Sequence, residues 1–112
     1  QHRRVAAQAG VPAAQVEAVL GHPQGSADKE PFDSLEHRVL DFTDAVVRQV
    51  KAPPETFDAL AALLPPQQLM EVVMTIGYYM LVCRVLENFE VELEDGNVLD
   101  SHGRWSEILG KN

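Results

Sequence analysis

Apolar residues along this chain recur at helical rather than strand spacing. Leu35, Val39, Phe42, Val46 and Val50 step by 4, 3, 4 and 4, which places them on one face of a helix predicted over residues 34–51. Asp33 followed three residues later by Glu36 is a capping box, so that helix has a defined start. Pro53-Pro54 ends it and opens a fourth helix over 54–64, with Phe57, Leu60, Ala61 and Leu64 inward. Pro65-Pro66 repeats the device and opens a fifth, over 66–89. Two short helices come first. Residues 1–9 form one, stopped by Gly10, which takes the left-handed C′ conformation without a Cβ penalty. Residues 12–20 form the other, with Val16, Val19 and Leu20 on one side and Gly21 as its stop.

Between them and the third helix, "GHPQGSADKEPFD" (21–33) is a Gly, Pro, Ser and Asp loop. "VELE" alternates as a strand would but has no partner strand. The tail, residues 95–112, carries Trp105, Ile108 and Leu109, which suit a cap on this domain or a contact with a neighbouring chain. The expected architecture is therefore all-α, a single domain of about five helices spanning residues 1–112.

The fifth helix decides how that domain can exist. Leu69, Val72, Ile76, Tyr79, Cys83 and Leu86 make one stripe; Val73 and Met80 lie beside it, and Met74, Tyr78, Leu81, Val82 and Val85 cover most of the rest. A helix apolar all round must be covered all round. Four short helices of one chain hardly suffice, so the pattern implies a homo-oligomeric partner or further chain upstream. Gly77 at mid-helix costs about 1 kcal/mol against Ala, which close approach of another helix would offset. The longest uncharged run, 72–83, is twelve residues and suits a buried helix better than a membrane span of about twenty.

Charge narrows the partners. The formal net charge is −8, and only "HRR" at residues 2–4 is locally basic, so neither nucleic acid nor an anionic membrane is expected. Cys83 is the sole cysteine, so no internal disulfide can form, which fits a cytoplasmic setting. On the stripe it is expected to be a buried, inert thiol. His2, His22, His37 and His102 are scattered without metal-ligand spacing, so no metal is expected. Arg84, Glu87 and Asn88 lie one turn apart. The plain reading is a salt bridge and a capping amide; the functional one is that Arg84 or Asn88 holds an anionic substrate. Tyr78 and Tyr79 point about 100° apart and serve different surfaces.

Read together, "QHRRVAAQAGVPAAQVEAV" and "PPQQLMEVVMTIGYYMLVCRVLENFEVELE" resemble the carboxymuconolactone decarboxylase family, which is related to the alkylhydroperoxidase D-like proteins. Gln1-His2, Ala7, Gly10 and Val16 match the first part of its pattern; Gly77, Tyr79, Arg84, Asn88, Val91 and Glu92 match the second. The resemblance covers residues 1–94. It implies an alkylhydroperoxidase D-like helical bundle whose upstream hairpin precedes Gln1, assembled as a dimer, trimer or hexamer. It also implies cofactor-free acid/base chemistry on a small lactone acid, with His2 as the catalytic group and Arg84, Tyr79 and Asn88 binding substrate. A thiol-dependent peroxidase or reductase with its cysteines upstream, and a non-catalytic helical oligomerisation protein, are the alternatives.

Overall fold

The computed structural model describes residues 2–21 and 30–92. Five helices follow in order: α1 (His2–Gln8), α2 (Ala13–Gly21), α3 (Ser34–Gln49), α4 (Pro54–Ala61) and α5 (Pro66–Asn88). No strand occurs among the described residues, and Val91-Glu92 continue as irregular chain. The rest of "VELE", most of the 21–33 loop, the tail, His22 and His102 lie outside the described residues.

Local chemistry sets the helix ends. Gly10 closes the α1 turn at φ 84°, in the left-handed region. At the start of α3 both halves of the capping box form: Asp33 Oδ1 accepts from the Glu36 amide at 2.8 Å, and Glu36 Oε2 accepts from the Asp33 amide at 2.8 Å. Proline opens both α4 and α5, where a missing N–H costs nothing. α3 ends two residues sooner than its stripe predicts. Val50 leaves the helix at φ 66° and stands 87% exposed, so the last member of the stripe never reaches the core. Leu35, at the other end, is also exposed.

The core is small and sits where α3, α4 and α5 meet. Leu60 is wholly buried, Phe42 is 3% exposed, and Ala52 and Ile76 complete the buried group. Val39, Ala45, Val46, Leu64, Leu69, Val72 and Met80 pack around it. Phe57, expected inward, lies at the edge, half-exposed, with its ring 6.2 Å from that of Phe42.

The α1–α2 hairpin stands beside this core and buries none of its own residues. An exposed Arg3–Glu17 ion pair of 2.7 Å links its two helices, a contact of small worth in water. Gln15 ties the hairpin to α3, donating from Nε2 to the Pro31 carbonyl at 2.8 Å and to Glu36 Oε2 at 3.1 Å. Glu36 thus serves the capping box and the hairpin at once.

α5 departs most from expectation. The stripe predicts a core helix, yet only Ile76 is buried along its 23 residues. By length and composition it is apolar enough to cross a membrane.

Candidate functional site

α3 and α5 leave a groove between them, closed at one end by Leu64. Three α3 residues at intervals of four, Val39, Thr43 and Val47, form one wall. Val72, Ile76, Tyr79, Met80 and Cys83 of α5 form the floor and the other wall. The space measures about 1090 Å³ and is open along its length. Its lining is largely apolar. Polar groups stand toward its two ends: Gln68, Glu71 and Thr75 on the first half of α5, and Arg84, Glu87 and Asn88 on the last turns.

Those polar groups are held by their own helix. Thr43 Oγ1 donates to the Val39 carbonyl and Thr75 Oγ1 to the Glu71 carbonyl, each at 2.7 Å. Gln67 Nε2 donates to Glu71 Oε1 at 3.1 Å and steadies that carboxylate. Arg84 Nη1 donates to the Met80 carbonyl at 2.9 Å, where the sequence suggested Glu87 as its partner. That bond uses one nitrogen of a five-donor fork, so bidentate geometry toward a carboxylate stays accessible. Asn88 Nδ2 donates to the Arg84 carbonyl at 2.8 Å, the capping role expected of it, and leaves its amide oxygen to other partners.

His2 is brought to this groove from the far end of the chain. Its ring meets that of Tyr79 edge-on, 5.3 Å between centroids. Tyr79 meets Tyr78 edge-on at 6.0 Å, so three rings run from α1 across the surface of α5. Of the residues singled out from sequence, Tyr79, Arg84 and Asn88 line the groove, and His2 reaches it through Tyr79. All four are exposed in the single chain.

Cys83 corrects one expectation. It lies on the apolar stripe as predicted but is exposed, on the groove floor. The groove wall it faces is incomplete, so the stripe reaches solvent there. His37 sits in the first turn of α3 with its ring 6.2 Å from that of Phe32, away from the groove. The described residues hold no group of three or more His, Cys, Asp or Glu placed to bind a metal ion.

Thr43, Val47, Gln68, Glu71 and Thr75 were not foreseen as lining residues. A signal was present for three of them. Val39, Thr43 and Val47 share one edge of the α3 stripe, and Glu71 is the lone charge in the first three turns of α5. Comparison of the chain with protein families, with curated proteins and with solved structures finds no match.

Proposed function

We propose that the α3–α5 groove takes a small unsaturated carboxylic acid and that His2 delivers a proton to it, the chemistry of a carboxymuconolactone decarboxylase-like enzyme on an alkylhydroperoxidase D-like bundle. The observation that carries this reading is the His2–Tyr79 contact. It joins the one histidine of the resemblance to the groove that holds the other matched residues. An apolar trough with a guanidinium near one end suits a ligand with a hydrocarbon ring and one carboxylate. In the proposed step the bond between a ring carbon and its carboxylate breaks, CO2 leaves, and the electron pair stays on the carbon as a dienolate. The imidazolium of His2 then protonates that carbon, so the product is the same lactone with hydrogen in place of CO2. Arg84 binds a second carboxylate or the lactone carbonyl, and Tyr79 holds the His2 ring in position.

The test uses a carboxylated γ-butenolide as probe. CO2 release is followed by a coupled assay, and binding by the His2 and Arg84 resonances. CO2 release that falls by about a hundredfold or more in His2→Gln supports the reading. Weaker binding in Arg84→Ala, with the His2 resonance still responding, supports the anchor role. No CO2 release and no shift at either residue overturns it.

A non-catalytic oligomerisation role is the second reading, and the open, exposed setting of His2 favours it. A thiol-dependent activity gains from the exposure of Cys83, but a dithiol mechanism needs a second cysteine and the chain has one.

A further inference from the structure

α5 turns its groove residues to α3 and a different set to solvent. On the outer side Met70, Met74, Gly77, Leu81, Arg84 and Asn88 step by 4, 3, 4, 3 and 4, the spacing of a helix–helix seam. The large apolar members are open: Met74 is 66% exposed and Leu81 60%, with Met70 alike. Tyr78 and Val85 widen the strip on one flank and Val73 on the other, all three exposed. Gly77 sits at its middle. A Cβ built there meets nothing within 4 Å, so nothing within the described chain calls for a glycine at a position where it costs about 1 kcal/mol.

We propose that this outer face of α5 packs against the same face of a second copy, antiparallel, with the two helices closest at Gly77. Glycine there lets the backbones approach and receives a large side chain from the facing helix. Charge sets the direction. Glu71 lies six residues before Gly77 and Arg84 seven after, so an antiparallel crossing there brings Glu71 level with the partner's Arg84. A parallel crossing sets like charge against like at both ends.

Area is sufficient. A 23-residue helix is about 34 Å long, and a strip one helix wide on each copy approaches the ~1,000 Å² total of a specific interface. The same two charges argue against lipid as the occupant. Glu71 and Arg84 are about 20 Å apart along the axis, less than the ~30 Å hydrocarbon layer, so a spanning α5 would hold at least one of them inside it. Met70, Met74, Gly77 and Leu81 do not line the groove, so this pairing stands or falls separately from the acid/base reading.

The test is sedimentation equilibrium of the full chain at micromolar concentration, with circular dichroism to verify helix content. The expected mass is twice 12.4 kDa. Leu81→Glu should weaken the dimer by roughly a hundredfold. Leu63→Glu, on the exposed turn after α4, should leave it unchanged. Glu71→Arg and Arg84→Glu should each weaken it several-fold, and the double variant should regain wild-type affinity. A monomeric wild type overturns the proposal. So does a dimer that ignores Leu81→Glu, a double variant weaker than either single one, or a chain that disperses only with phosphatidylcholine vesicles.

Discussion

Leu60→Ala is the sharpest probe of how this fold is held. Leu60 is the one large side chain with no exposure at all, placed where α4 meets the Phe42 and Ile76 side chains of α3 and α5. Truncation removes three carbons, about 2.4 kcal/mol at ~0.8 kcal/mol each. The cavity left behind adds to this, because α3 and α5 are fixed by other contacts and close over it only in part. About 3 kcal/mol results, within the range for buried leucines. A domain of this size has roughly 5–15 kcal/mol in all, so the change removes a large share. It should lower the melting temperature by about 12–20 °C. Leu63→Ala is the internal control: three residues on, it removes the same atoms from a half-exposed site and should cost under about 1 kcal/mol. Thermal and urea melts followed by circular dichroism at one fixed chain concentration measure both, since association would shift the midpoint. If the two variants fall by similar amounts, or Leu60→Ala costs less than about 1 kcal/mol, the α3–α4–α5 junction is not the centre of stability.

Two further perturbations follow from single groups. Asp33→Ala removes the side-chain acceptor of the α3 capping box and should cost about 1 kcal/mol in the same melts; an unchanged midpoint would mean the box forms without stabilising α3. Burial raises the Asp44 carboxyl above its ordinary 3.8; Arg48 pulls it back down and Asp41 adds to the rise. The folded state then holds that proton more tightly than the unfolded chain, so ionised Asp44 opposes folding above the folded pKa and ceases to as pH falls toward 3.8 and below. Asp44→Asn should therefore melt higher than wild type at pH 7, with the gain shrinking as the pH is lowered through that window; a gain independent of pH would assign it to something other than ionisation.

Element order and most helix ends could be read from local signals. The prolines at 54 and 66, Gly10 and the Asp33–Glu36 pair act within a few residues of where they stand, so their effect is written in the sequence beside them. Exposure along α5 was not legible in the same way. Periodicity says which residues share a face, not whether another element arrives to cover it. α1 and α2 contribute so little cover because their own residues stay exposed and their ties to the core are one amide and one ring contact. Cys83 and Val50 fail for that reason. Each continues an apolar stripe beyond the reach of its packing partner, one along an open groove and the other past the end of its helix. Tyr79, Arg84 and Asn88 could be placed on one helix from their spacing, but the approach of His2, 77 residues away in the chain, depends on how the hairpin docks.

The thin core and the bare outer face of α5 are connected physically. Four buried side chains fix α5 against α3 and α4 near Ile76, while the last three turns, which carry Arg84 and Asn88, extend past that anchor with little behind them. Helix propensity alone does not hold three turns rigid in water; packing does. A group meant to fix a carboxylate must be held to within a fraction of an ångström, so the anchor end of the groove requires support that α3 and α4 do not give. A second α5 crossing at Gly77 would supply it, pinning Arg84 from the side opposite Met80. If the proposed dimer forms, hydrogen exchange at residues 81–88 should slow as chain concentration rises, while exchange in α4 changes little. Equal slowing in both helices would mean association stabilises the whole fold and does not specifically brace the end of the groove.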